Sequence, residues 1–220
     1  MKPSDEPRAS NRLISNFLRV FFYLLYGAFA WIYDWVAGFV SLGLWQRWIL
    51  EVVPSLQGPQ VLELGHGPGH LQKVLLERGI WVCGIDSSQQ MGRLADKRLK
   101  KSGLKPNLVN GFAQYLPFAS GSFPQVVATF PTEYIEDACT LTEVRRVLAL
   151  GGELIVMPVA WITGKGFLAR AAAYLFHITG QAPDWDDRAL SPAREAGFKV
   201  AVEERKLKSS QLLIVHAWKI

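Results

Sequence analysis

The stretch Glu63-Leu64-Gly65-His66-Gly67-Pro68-Gly69-His70 decides how this chain is read. The apolar run Val61-Leu62-Glu63-Leu64 leads into it and a helical pattern from His70 to Gly79 leaves it, so the glycines sit where a strand turns into a helix. Glycine there permits a tight turn and lets the main chain approach a ligand without a Cβ in the way. The free N–H groups at the start of the helix favour an anionic group such as a carboxylate or phosphate. Asp86 ends the next strand, Ile80–Asp86, 23 residues after Glu63, and an acid at that place can accept hydrogen bonds from both hydroxyls of a ribose. A dinucleotide is disfavoured. The pattern G-x-G-x-x-G requires glycine at position 70, where the chain has His70. Glu63, placed before the first glycine, would repel a pyrophosphate and can pair with a ligand's ammonium group instead.

Outward from this turn the chain alternates strand and helix patterns. A basic helix runs from about Gln89 to Ser102, followed by short strand Leu108-Val109 and strand Phe123–Phe130. Glu136–Leu150 reads as a helix closed by Gly151-Gly152, and Glu153–Pro158 as the fifth strand. An insert over about 161–187 carries an apolar helix from about Phe167 to Thr179, and a final helix ends at Gly197. Strands Phe198–Glu203 and Leu212–Trp218 close the chain, too near one another for a helical crossover, so the last runs antiparallel. The expected fold class is therefore α/β, Rossmann-like, with a seven-stranded mostly parallel sheet and helices on both faces. Residues 1–53 are expected to form an N-terminal helical arm or lid, and residues 54–220 the main domain, the break falling at Pro54–Pro59.

The 220 residues are 50% apolar and 20% charged, which excludes a disordered chain. Mean hydropathy is +0.12, and the excess is local. Val20–Tyr33 is a 14-residue run without a formal charge, and four of eight tryptophans lie between Trp31 and Trp48. A membrane span needs about 20 mostly apolar residues, and spanning here would bring Asp34 close to the bilayer centre at about 2.5–3.5 kcal/mol. Spanning is not expected, nor is a cleaved signal peptide, because the leading segment is acidic as well as basic. Two readings stay open for residues 13–50: contact with a membrane surface through Trp31, Tyr33, Trp35, Trp45 and Trp48, or packing as a roof on the main domain. Net charge is +5, and no aromatic–basic interleaving marks a nucleic-acid face, so nucleic acid is not an expected partner. Cys83 and Cys139 form neither a disulfide framework nor a metal cluster, and both read as ordinary buried thiols of a reducing, cytoplasmic compartment. No metal site is expected. The basic stretch Arg93, Lys97, Arg98, Lys100, Lys101 and Lys105 reads as the solvated face of a helix rather than an anion site.

Five segments in order carry a family resemblance: Val61–Gly69, Gly84-Ile85-Asp86-Ser87-Ser88 with Met91, Gln114–Phe118, Ser122-Phe123, and Arg146-Val147-Leu148 through Gly151-Gly152-Glu153-Leu154. Over roughly residues 60 to 160 the chain resembles the class I S-adenosylmethionine-dependent methyltransferases, type 11 group. Tyr33-Asp34, Ser41-Leu42-Gly43 and Trp48 are similar to the entry helix of the ubiquinone and menaquinone C-methyltransferases. The resemblance implies S-adenosyl-L-methionine as cofactor. Glu63, Gly65, Gly67 and Gly69 would hold its methionine part, Asp86 with Ser87 its ribose, while Met91, Phe112 and Ala113 would border its adenine. The chain departs from the family in Gly111-Phe112-Ala113, where Gly-Asp-Ala is usual. It departs again in Ser122-Phe123-Pro124 for Ser-Phe-Asp, and in Leu150 for the proline before the two glycines. Phe112 replaces an acceptor for the adenine amino group with a ring that can stack.

Methyl transfer from a sulfonium is a one-step displacement, which asks the protein for alignment and water exclusion, and for a base only when the nucleophile sheds a proton. Candidates at the end of the fourth strand are Thr129, Phe130, Thr132, Glu133 and Tyr134, with Thr129 also placed beside the cofactor. Glu133 is the candidate base, against the reading of a solvent-exposed acid at a helix start, and Tyr33 is a second candidate reaching in from the arm. Phe167, Leu168, Ala171, Leu175 and Ile178 recur at helical spacing and, with the Trp-rich arm, suggest an apolar roof over a hydrophobic, quinone-like or lipid-like acceptor. A soluble small-molecule acceptor, and a non-catalytic cofactor-binding scaffold, are the alternatives.

Overall fold

The computed structural model describes residues 44–163 and 187–220. Most of the arm, including Tyr33, and the apolar helix expected over Phe167–Thr179 lie outside the described residues.

The described chain opens with helix α1 (Trp45–Leu50) and then alternates strands and helices: β1 (Gln60–Leu64), α2 (His70–Glu77), β2 (Trp81–Asp86), α3 (Gln89–Lys101), β3 (Leu108–Asn110) and β4 (Phe123–Thr129). It continues through α4 (Ala138–Val147), β5 (Leu148–Ile162), α5 (Ser191–Glu195), β6 (Phe198–Lys206) and β7 (Ser210–Lys219). The seven strands form one sheet in the order β3-β2-β1-β4-β5-β7-β6. Neighbours from β3 to β5 pair in parallel, while β7 is antiparallel to both β5 and β6, as the short β6–β7 connection requires. Strand order reverses between β1 and β4, the place where the carboxyl ends of a parallel sheet leave a crevice.

Each face of the sheet carries its own core. Leu62 and Leu64 face Leu141, Val144 and Val147 of α4. Val61, Val127, Ile155 and Ile214 face Leu71 and Leu75 of α2 together with α1. Burial on both sides is why the central strands read as unbroken apolar runs. The edge strand β6 instead alternates exposed and half-buried positions and ends in Glu203, Glu204, Arg205 and Lys206, charges that discourage edge-to-edge pairing.

The end of the arm is built into this core. Trp48 is fully buried and donates its indole N–H to Ser210 Oγ at 2.8 Å, tying α1 to the start of β7. Trp45 stacks on Phe130 at the end of β4, ring centroids 4.1 Å apart, and Val52, Val53 and Leu56 continue the apolar face.

Two expectations change. The helix expected over Glu136–Leu150 is shorter, because the chain after β4 first makes a 3-10 turn, Glu133–Glu136, and α4 ends at Val147. Leu148 is already extended and pairs with Phe123, so Gly151-Gly152 does not cap a helix. It forms part of a bulge that offsets β5 from β4 before Gln125 meets Glu153. Cys83 is buried, and its thiol is pushed up to about 11 by desolvation, but Cys139 is exposed, not buried. It lies on the solvent side of the first turn of α4, where its N–H bonds to Asp137 Oδ1 at 3.1 Å.

Trp48→Ala should cost about 3–5 kcal/mol of stability, since it empties an indole-sized volume and orphans Ser210. Urea unfolding of the variant beside wild type measures this.

Candidate active site

At the carboxyl ends of β1 and β4 lies a cavity of about 340 Å³. That volume falls in the range of small-molecule sites. Gly65 and Gly67 form one wall, Ile85, Asp86, Ser87, Ser88 and Met91 the next, Gly111–Gln114 a third, and Thr129–Thr132 with Tyr134 the last.

The glycine turn is held in a shape that needs glycine. Gly65, Gly67 and Gly69 all have positive φ, at +66°, +51° and +80°. A Cβ on Gly65 would meet the Tyr134 hydroxyl at 2.7 Å, and one on Gly69 would meet Ala95 Cβ at 2.9 Å, where α2 and α3 pack closely. At Gly67 a Cβ would meet no atom within 4 Å, so that glycine leaves room beside the cavity.

Asp86 braces the turn from the neighbouring strand. Its Oδ2 accepts the Gly67 N–H at 2.9 Å and its Oδ1 accepts the Ser88 N–H at 2.8 Å, so the carboxylate stands fixed in the cavity wall. Each oxygen retains capacity for a further hydrogen bond, such as one from a sugar hydroxyl. Asn110 at the end of β3 donates to the carbonyls of Asp86 and Ser87 at 2.9 and 3.1 Å, holding that segment from below. His66 is buried and its Nδ1, 2.7 Å from the Gly67 carbonyl, acts as donor. Burial holds its pKa below the ordinary value while Asp86 pulls it back up. Arg98 of α3 donates to the Pro68 carbonyl, which gives one member of the basic helix a structural task. Lys100 pairs with Asp96 on the same helix at 2.9 Å, as expected of a solvated face.

The Gln114–Phe118 loop is fastened from α4. Arg146 meets Glu143 in a two-pronged ion pair, 2.7 and 2.8 Å, and donates to the carbonyls of Phe118 and Leu116 at 2.7 and 2.9 Å. Glu143 also accepts the Leu116 N–H at 2.8 Å, and the Arg146 guanidinium holds its carboxyl below the usual range. The Gln114–Phe118 segment is thereby locked behind Phe112, which stands 62% exposed at the mouth of the cavity.

Gly65, Gly67, Asp86, Ser87, Met91, Phe112, Ala113 and Thr129 are thus brought together on one cavity. Glu63, Gly69 and Glu133 do not line it. Gly69 serves helix packing, and Glu133 is an exposed residue of the 3-10 turn after β4. Glu63 points into the face covered by α2, buried, with its Oε2 accepting from Gln72 Nε2 at 2.7 Å. Desolvation raises its pKa to about 8, with the Gln72 hydrogen bond opposing and Asp86 adding to the rise. Tyr33 lies outside the described residues.

Sequence reasoning missed Gln72 and the part played by Phe130. Phe130 holds φ +48°, a left-handed conformation costly for a residue with a Cβ; it lines the cavity, and its ring packs on Trp45. Pro131 disfavours the right-handed helical region at Phe130, but it favours extended backbone, so the left-handed conformation had no local sequence signal.

Residues 61–152 match the family model described as "Methyltransferase domain". Over these residues the chain is similar to the class I methyltransferases. It is 28% identical over 157 residues to the demethylmenaquinone methyltransferase of Thermotoga maritima, covering 69% of this chain and 66% of that protein. It is 34% identical over 155 residues to the ubiquinone/menaquinone biosynthesis C-methyltransferase of Legionella pneumophila, covering 66% of this chain and 62% of the relative. The chain thus spans a little under two thirds of the length of these relatives. The methyltransferase domain also shares its fold with a geranyl diphosphate methyltransferase solved in complex with SAM, at TM-score 0.60 and 14% identity over 80% of this chain and 85% of that one.

Two predictions follow from the turn. Gly67→Ala should keep the unfolding free energy of wild type to within about 1–2 kcal/mol yet abolish ligand binding, whereas Gly69→Ala should lose stability first, because its Cβ strikes Ala95. Paired thermal melts and ligand titrations separate the two. The buried Glu63 carboxyl holds a proton that the unfolded chain releases near its ordinary value of 4.5, so the native state binds more protons from there up to about 8. Stability should therefore fall as pH rises through that interval. Glu63→Gln should remove this part of the slope, read as a smaller difference in urea midpoint between about pH 5 and about pH 8.

Proposed function

We propose that the chain is an S-adenosylmethionine-dependent methyltransferase acting on a hydrophobic acceptor, a quinone-like ring or a lipid headgroup. The observation that carries the cofactor reading is the Asp86-braced glycine turn opening on a 340 Å³ cavity at the switch between β1 and β4. The residues fit the group. Asp86 presents a fixed carboxylate to the ribose, Gly67 leaves room for a close approach, and Met91, Phe112 and Ala113 offer apolar borders to a flat base. Bound there, S-adenosylmethionine supplies an activated methyl carbon. The chain's own work is then to orient it through the glycine turn and Asp86, to exclude water, and to align the acceptor from the Thr129–Tyr134 side.

The acceptor reading rests on the named quinone-precursor methyltransferases at 28–34% identity and on the apolar character of residues 13–50. In this reading the arm, ending in the Trp45 and Trp48 anchors, forms the acceptor side of the site and touches a membrane surface from the cytoplasm. Among the described residues no helix is long and apolar enough to cross a membrane. Glu133, exposed and absent from the cavity lining, is not placed to serve as the base in this reading.

Incubation with methyl-labelled S-adenosylmethionine and a fractionated cell extract should place label in the organic phase, and Asp86→Ala should weaken cofactor binding at least tenfold. Label confined to the aqueous phase would replace the lipophilic acceptor with a soluble one. Cofactor binding with no transfer into any fraction would favour a scaffold.

A further inference from the structure

Gln89–Lys105 contains six cations, Arg93, Lys97, Arg98, Lys100, Lys101 and Lys105, against one acid, Asp96. With histidine neutral, α3 and its exit therefore hold the chain's whole net charge of +5, and the remainder is balanced. Along α3 the residues Arg93, Lys97, Lys100 and Lys101 recur at i, i+4, i+7 and i+8, one stripe opposite the buried Met91, Ala95 and Leu99. All four are exposed, as is Lys105, whereas Arg98 is half-buried and donates to the Pro68 carbonyl.

The stripe is little neutralised. Lys100 pairs with Asp96 at 2.9 Å and Arg93 donates to the neutral amide of Gln89 at 3.3 Å. Lys97, Lys101 and Lys105 make no ion pair among the described residues. The negative end of the helix dipole accounts for Lys100 and Lys101 in the last turn, but Arg93 and Lys97 lie outside that turn. From Arg93 to Lys101 the stripe spans about 12 Å, close to the screening length of roughly 10 Å at 0.1 M salt, so its charges act together on one surface.

The partner this favours is extended, not a small ion. The adjoining cavity between α3 and β3, about 360 Å³, has Asp86 and Asp96 in the same lining as Arg93, so a discrete anion there would meet two carboxylates. Rings do not alternate with the cations, as they would on a single-stranded nucleic-acid face. Exposed rings stand instead beyond one end of the stripe: Phe112 and Tyr115 follow Asn110, which shares that cavity with Arg93. Cations along a helix with apolar rings beside them suit anionic headgroups over acyl chains.

We propose that the exposed face of α3 docks on an anionic lipid bilayer, with Phe112 and Tyr115 at the edge of the contact nearest the cavity between β1 and β4. Neither the cofactor nor the acceptor reading is required for this contact.

Flotation of the full chain with phosphatidylcholine vesicles, with and without added phosphatidylglycerol, tests it. At about 0.1 M salt the anionic vesicles should bind at least tenfold more tightly than the neutral ones, and the difference should vanish near 1 M, where screening shortens to about 3 Å. Lys97→Gln/Lys101→Gln should weaken anionic binding about thirtyfold, the scale of two cations near such a surface, while Lys97→Arg/Lys101→Arg retains it. Thermal melts check that both variants fold, and the salt titration of wild type reads the same charge without any substitution. Equal binding to both vesicle types, salt-independent binding, or undiminished binding by the folded Gln variant would each overturn the proposal. So would tighter binding to a short DNA duplex than to anionic vesicles at equal phosphate, which would make the face a nucleic-acid site.

Discussion

The carboxylate of Asp86 is the fixed point of this molecule. It sits at the end of β2 and takes one backbone N–H from the glycine turn after β1 and one from the entry to α3, so two chain reversals share one anchor. Hydrogen bonds from neutral donors to a charged acceptor are the stronger kind, and these are made within a partly buried wall. The turn needs them, because three residues at positive φ in five give it little intrinsic preference for one shape. Asn110 and Arg98 extend the same anchoring to β3 and α3, so this wall of the cavity is held by the chain's own hydrogen bonds.

The opposite wall is organised differently. Phe130 is held in a left-handed conformation at the end of β4, with its N–H bonded to the Met157 carbonyl at 2.7 Å and its ring against Trp45. Strain of this kind persists where surroundings over-determine it. Here the surroundings include α1, itself tied by Trp48 to Ser210 of β7. Trp45 of α1 is therefore coupled to the Phe130 side of the cavity through a stacked pair.

A separate polar cluster ties the far end of the sheet. His216 of β7 bonds Glu153 of β5 at 2.7 Å and approaches Glu203 of β6 at 3.4 Å, and those carboxylates raise its pKa. Gln125 of β4 links the same Glu153 to the segment before β1 by accepting the N–H groups of Gln57 and Gly58 at 2.8 and 2.7 Å. The cavity lies at the carboxyl ends of the parallel strands, and the amino ends carry these polar contacts.

Much of this was legible in the sequence, for local reasons. Strand and helix periodicity, glycine at the β1–α2 turn and an acid at the end of β2 are all features of neighbouring residues, so the alternating α/β order, the antiparallel close and the meeting of the glycine turn with Asp86 could be read along the chain. Tertiary structure alone decided matters that depend on residues far apart. Whether Glu63 faces the ligand or Gln72 depends on which side of β1 meets α2, and strand alternation places it beneath the turn with a carboxyl raised to about 8. Helix periodicity carried the Glu136–Leu150 reading past its true end because Leu148 satisfies its backbone by pairing with Phe123, a partner 25 residues away. The same holds for Tyr134, whose hydrogen bond to Leu64 beside Gly65 spans 70 residues of sequence. Periodicity and turn chemistry are short-range properties of the chain, whereas the direction a side chain faces at a site is set by packing across the sheet.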